Sequence, residues 1–291
     1  MNTLLTFEQQ RQLVKNKLAV EKQDGIFSTF KYHRRVMYDY LWDKHPELLE
    51  CRGHVYNNQN GALVQAAPRK SFNYLENDHW SDVSLDQEVV MFKKINGFMA
   101  CVTKYRGELV VSTTGSTTSE YAKWAKDLIS NYPDFTFKLD NHITDLFEVV
   151  VPQDPHIVSE VLGLHHLGYR HKSTGIFIPI GNFNQVKLST ALEIAESDKG
   201  EGFMIYKIQN DNIDSSSCCK LKTPYYTGKK KLMRMSFNAV VTMYTKPTYT
   251  AANLPEIWRH APDAILKNFS EAEWIATPEQ TRRKFLESIE K

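Results

Sequence analysis

The chain has 291 residues, with 36 lysines and arginines against 34 aspartates and glutamates, a formal net charge of +2. Hydrophobic residues make up 42% and charged residues 24%, which excludes a collagen, a disordered chain and a uniformly basic nucleic-acid coat. The length admits one large domain or two smaller ones, and no apolar run approaches the roughly 20 residues of a membrane helix.

The start, Met1 to Leu5, turns polar at Glu8, so no signal peptide is expected. Residues 6–23 carry Phe7, Val14 and Leu18 among charges, which predicts an amphipathic helix stopped at Gly25. His54–Tyr56 and Ala62–Gln65 flank Asn57–Gly61 and read as a hairpin. Glu88–Phe92, Phe98–Thr103 and Glu108–Ser112 are three further strands, turned at Asn96-Gly97 and Arg106-Gly107. Residues 117–131 have helical spacing and begin at Thr118-Ser119-Glu120. Asp145–Val151 is a strand stopped by Pro152, residues 188–197 are helical, and Phe203–Ile208 pairs with Cys218–Lys222. The rest, with Trp258, Ile265, Leu266, Phe269, Trp274 and Phe285 among charges, reads as short helices. The fold class is α+β with antiparallel sheets, without the regular alternation of a Rossmann fold.

Four cysteines without a Cys-x-x-Cys pair suit a reducing cytoplasm. His165, His166 and His171 cluster, but a zinc site would need a fourth ligand and a better spacing, so they read as surface or capping histidines.

The chemistry-bearing text begins at Val89–Phe98, where Lys94 follows a hydrophobic strand and precedes a Gly-containing turn. Downstream, Glu148 lies inside an apolar strand, where a carboxylate is costly unless paired. Glu201 opens another apolar strand. Lys220 and Lys222 are two apart, so on a strand they share a face and can address one anion. Each alone is matched by a solvated surface charge; their order and type together match one plan.

On these residues the sequence resembles the covalent nucleotidyltransferases, which comprise DNA ligases, RNA ligases and mRNA capping enzymes. Glu50-Cys51-Arg52-Gly53, Arg69-Lys70-Ser71-Phe72-Asn73 and Gly115-Ser116 make it most similar to the ATP-dependent RNA ligase 1 type, known from phage tRNA repair. The resemblance covers about residues 50–225. It implies that Lys94 is the nucleophile that takes AMP, that Glu148 binds the ribose hydroxyls and that Glu201 helps hold Mg²⁺ or Mn²⁺. It also implies that Lys220 and Lys222 contact the α-phosphate and the leaving pyrophosphate, that Arg52 and Lys70 bind phosphates, and that Phe72 lies near the nucleotide. ATP and RNA with 5′-phosphate and 3′-hydroxyl ends are the implied substrates. Apart from the resemblance, a monomer is expected, cytoplasmic (host cytoplasm if viral) and with no membrane partner. Its nucleotidyltransferase domain would span 1–230, with a small, mainly helical region at 231–291.

Lys94 must be neutral to attack phosphorus, yet a free lysine has a pKa of about 10.4. Like charges at Lys93, Lys220 and Lys222, with a divalent cation, are expected to lower it. Asn96, where the family often has aspartate, adds no negative charge to oppose this. Thr114 stands where the family has a lysine, which leaves hydroxyls and amides of 113–116 as replacements. Tyr32 is near the family's N-terminal tyrosine but out of register.

A Walker loop and a Gly-x-Ser-x-Gly elbow are both missing. A DNA ligase or capping enzyme would carry a five-stranded OB-fold after Lys222, where the text reads helical. A non-catalytic RNA-binding relative is the other alternative; the joint presence of the five charged residues opposes it. From Ser215 to Leu254 there are seven basic residues and no acid, so charge is segregated within a near-neutral total. Lys229–Lys231 and Arg234, flanked by Tyr225, Tyr226, Phe237 and Tyr244, are either a solvated turn with core aromatics or a surface for unpaired bases.

Overall fold

A computed structural model describes residues 4–131 and 140–290; Met1–Thr3, at the start of the stretch tested for a leader, lie outside them. Three sheets and ten α-helices make an α+β fold among the described residues. Among the described residues no helix is long and apolar enough to cross a membrane.

Two sheets build the cleft. The first has the strand order Phe183–Lys187, Glu88–Lys93, Gly202–Gln209, Cys219–Lys222, Phe72–Asn73, antiparallel except for the last pair. Its apolar positions alternate as a two-residue period requires. Val89, Met91, Phe203, Ile205, Cys219 and Leu221 pack with the helix Leu188–Ser197, and Val90, Phe92 and Tyr206 pack on the other face. The second sheet runs Phe177–Pro179, Gly163–His171, Ile143–Val150, Phe98–Tyr105, Glu108–Ser112. Phe147 and Val149 pack with Ala125 and Ile129 of the helix Glu120–Ser130, while Leu146 packs on the opposite side with Ala67 and Cys101. Phe177 touches the inner clusters of both sheets, so the sheets face each other with a helix behind each. Inner-face positions therefore decide the chemistry.

The third sheet, Ala19–Asp24, Phe27–Tyr32, Arg52–Asn57, Leu63–Gln65, corrects the predicted helix over 6–23. The helix is Phe7–Lys15, with a capping box between Thr6 and Gln9. Lys17, at φ 59°, turns the chain, and residues 19–24 become a strand. Gly25, at φ 61°, serves the hairpin between the first two strands and stops no helix. The apolar spacing of Phe7, Val14 and Leu18 joined two elements that pack into one cluster.

From Pro224 onward the chain is helical, around Tyr225, Tyr226, Leu232, Met233, Trp258, Ile265, Trp274 and Leu286. Each large apolar side chain buried there contributes about 1.5–3 kcal/mol. The helix Pro224–Met233 runs through position 230. Its Gly228 leaves room for Trp258, whose Cδ1 would lie 2.4 Å from an added Cβ, and the Trp258 indole N–H donates to the Tyr225 carbonyl at 2.7 Å.

Candidate active site

Lys94, Glu201 and Lys222 meet because of strand register. In the first sheet Phe203 pairs with Lys93 and Gly202 with Lys222. The Lys94 N–H donates to the Gly202 carbonyl at 2.8 Å. Three neighbouring strands thus end at one level. Gly202 is required there: its φ is +131° and an added Cβ would sit 2.0 Å from the Leu221 carbonyl oxygen. At this end Lys94 Nζ lies 2.9 Å from Glu201 Oε1, which also takes Lys222 Nζ. Asn96 Nδ2 donates to Glu201 Oε2 at 2.9 Å. The Lys94 and Lys222 side chains are each 20% exposed and Glu201 is 4% exposed.

Glu148 comes from the facing sheet, on the side opposite Phe147 and Val149. It accepts the Gly97 N–H at 3.1 Å and is buried. That approach needs a glycine, since a Cβ on Gly97 would lie 2.4 Å from the Val149 carbonyl oxygen. Burial raises the Glu148 pKa, against the opposing pull of Lys94. Glu201 is buried as well, but Lys94 and Lys222 outweigh that and hold its pKa below the ordinary value.

These carboxylates dominate the charge around Lys94. Burial alone would lower the pKa of Lys94, but Glu148 and Glu201 outweigh it and raise it. Lys93 is exposed and turned away. The depressed amines are the other two. Burial, aided by Lys70 against Glu76, brings Lys220 down to about 8. Burial also brings Lys222 down to about 8, with Glu201 opposing and Lys94 assisting. The spacing of like charges along the sequence gave no sign that the nearest partners of Lys94 are acids.

Beyond Lys222 lies a second cationic group. The Lys70 ammonium sits 4.4 Å from the Phe72 ring centroid, 5.9 Å from that of Trp42 and 3.8 Å from Glu76. Phe72 is buried, edge-on to Trp42 and His79, and so forms the floor under Lys70. Arg52 is half-buried and, among the described residues, has no hydrogen-bond or ion-pair partner. Its charge nonetheless reaches Lys70, Lys94, Glu148 and Lys220. An unpaired Arg52 beside Lys70 and Lys220 is suited to phosphate groups. Tyr32 packs edge-on to Trp42 and lies within reach of the Arg52 charge. The loop at Thr114 presses on the Arg52 strand, where a Cβ on Gly53 would be 2.6 Å from Thr114 Cα. Lys22, 94 residues away in sequence from Ser116, donates to its Oγ at 2.6 Å, a cation near this loop that sequence spacing could not supply.

Other expectations resolve by burial. Lys229 is 1% exposed and bound to Glu287 and Glu290; Tyr225 and Tyr226 are core, whereas Phe237 is exposed. His166 pairs with Asp145 at 3.0 Å, His165 with the Val161 carbonyl at 2.7 Å, and no group of three or more metal-ligating side chains occurs among the described residues. Tyr226, read from sequence only as a flanking aromatic, lies under Lys222 at 4.6 Å. With Asn96, Gly97, Glu201 and Arg234 it lines a cavity of about 310 Å³.

No family model matches the sequence. Over 231 residues it is 23% identical to the "Putative bifunctional polynucleotide kinase/RNA ligase" of Autographa californica nuclear polyhedrosis virus, covering 64% of this chain and 31% of that one. The chain thus spans about a third of that relative's length. Two solved forms of an archaeal ATP-dependent RNA ligase superpose on it with TM-scores of 0.54 and 0.51. They cover 99% and 94% of this chain and 77% and 74% of theirs, each at 14% identity. At that identity the likeness is one of fold: α+β, with antiparallel sheets.

Proposed function

We propose that this protein is an ATP-dependent RNA ligase that joins a 5′-phosphate to a 3′-hydroxyl. The observation that carries the reading is the convergence, on a ligase fold, of Lys94 with Glu201 and Lys222 near Lys70 and an Arg52 that has no ion-pair partner among the described residues. In this reading Lys94 Nζ attacks the α-phosphorus of ATP and pyrophosphate leaves, giving lysyl-AMP. AMP then passes to the RNA 5′-phosphate, and a 3′-hydroxyl displaces it.

Each residue has a task that its surroundings suit. Lys220, Lys222, Arg52 and Lys70 neutralise phosphate oxygens, where charge spreads in the transition state. Glu148, acceptor-only when ionised, takes ribose hydroxyls. Phe72 supports Lys70. Glu201 would help hold magnesium or manganese, which when bound would supply further charge neutralisation. Lys94 is held as an ammonium by Glu148 and Glu201. A ribose on Glu148 and a cation beside Glu201 would weaken that hold and favour the neutral amine.

The helices after Pro224 weigh against a DNA ligase or capping enzyme, which would carry an OB-fold there. The test offers 5′-phosphorylated single-stranded RNA and DNA, and nicked duplexes of each, with ATP and Mg²⁺. Joining of RNA ends is expected; efficient joining of nicked duplex DNA alone would overturn the RNA reading.

A further inference from the structure

Asn96 uses its whole side chain. Its Oδ1 accepts the N–H groups of Ile157 and Val158 at 2.9 and 3.1 Å. Its Nδ2 donates to Glu201 Oε2 at 2.9 Å, and the amide also meets the Tyr226 hydroxyl. The Asn96 N–H donates to Glu160 Oε1 at 3.2 Å. One buried amide therefore joins the carboxylate that holds Lys94 to the segment that follows the Glu148 strand. Only a group that both donates and accepts can do this.

The segment is gripped from its other side by the C-terminal helices. Arg283 Nη1 donates to the His156 carbonyl at 3.2 Å, Arg234 Nη2 to the Pro155 carbonyl at 3.1 Å and Gln280 Nε2 to the Pro152 carbonyl at 3.2 Å. Ile157 and Val158 are themselves buried in the C-terminal cluster. The contacts run unbroken from Arg283 through His156 and Ile157 to Asn96, Glu201 and Lys94. A glutamate's terminal torsion is broad, so these bonds set the plane in which the Glu201 carboxylate faces the lysines.

We propose that Asn96 is a positioning residue for lysine adenylylation. It sets the orientation of the Glu201 carboxylate beside Lys94 and Lys222, and the C-terminal helices hold Asn96 through residues 152–158. This rests on the ligase reading above.

The test uses the full chain and single-turnover labelling with α-labelled ATP. Asn96→Ala is expected to slow lysyl-AMP formation at least tenfold, with the ATP concentration at half-saturation changed less than threefold. Arg283→Ala, remote from the chemistry, should slow it at least threefold. The double variant should be no more than twofold slower than Asn96→Ala, because both act along one path. An unchanged rate constant in Asn96→Ala, with only a smaller active fraction, is what a merely structural role gives and would overturn the proposal; so would multiplying effects in the double variant. Amide exchange at Ile157 and Val158 supplies a readout without ATP. Protection in the wild type, lost at least tenfold in both single variants, sustains the relay even if the wild type takes no label, an outcome that would sink the ligase reading instead. Unchanged exchange overturns the relay.

Discussion

Gly97→Ala tests how Lys94, the proposed nucleophile, is spaced from Glu148. The added Cβ would lie 2.4 Å from the Val149 carbonyl oxygen and 3.1 Å from Glu148 Cγ, where ordinary contact begins at 3.4 Å. The strands Phe98–Tyr105 and Ile143–Val150, paired at Phe98 and Val149, must part by about 1 Å. Overpacking of this kind costs about 1–3 kcal/mol, and each kcal/mol lowers the melting temperature by roughly 2–4 °C in a chain of this size. A displacement of about 1 Å can cost a reaction of this type about 100-fold in rate. Thermal unfolding with single-turnover adenylylation measures both, with Lys93→Ala as the exposed comparison. A Gly97→Ala protein with wild-type melting and a rate within threefold of wild type would refute the reasoning.

Other substitutions separate binding from folding. Lys220 is driven down to about 8 by burial and by neighbouring cations, so Lys220→Met should leave the melting temperature unchanged or higher while weakening ATP binding at least tenfold, read by calorimetry. A lowered melting temperature with intact ATP affinity would show that this lysine supports the fold. Arg170 donates to Glu50 Oε2 at 2.8 Å in the buried core, so Arg170→Met should cost about 3–5 kcal/mol at neutral pH by leaving Glu50 partly unpaired. Burial would raise the Glu50 pKa, but His54 and Arg170 outweigh it, so in the wild type this carboxylate's stabilisation is present above its ordinary value of 4.5 and is lost as pH falls through its lowered value. In the variant burial acts with less opposition, so the loss should shrink toward pH 4; denaturant melts at pH 7 and pH 4 showing equal losses would contradict it.

Much of this arrangement was legible in the sequence because β-strands alternate. Lys220-Leu221-Lys222 placed two amines on one face, and Leu146-Phe147-Glu148-Val149 placed a carboxylate opposite its apolar neighbours. The capped start at Ser119 and the apolar spacing after it gave the helix Glu120–Ser130. What the sequence concealed depends on distant chain segments. Asn96 read as a passive absence of charge, because Ile157, Val158 and Glu201 are brought to it only by the sheets and the C-terminal helices. Lys94 read as surrounded by cations, because sequence neighbours such as Lys93 are visible while Glu201 arrives across a ladder. Lys229 read as solvated because its partners Glu287 and Glu290 lie about sixty residues on. The helix over 6–23 failed for a local reason: Lys17 adopts a left-handed turn that no glycine announced.

The central claim is that Lys94 becomes covalently adenylylated. The direct measurement is incubation with α-labelled ATP and Mg²⁺, denaturing electrophoresis and mass mapping of the labelled peptide. The account predicts one labelled band, with AMP on Lys94, kept in Lys93→Ala and abolished in Lys94→Ala. Label that persists in Lys94→Ala, or that maps to another residue, would contradict it.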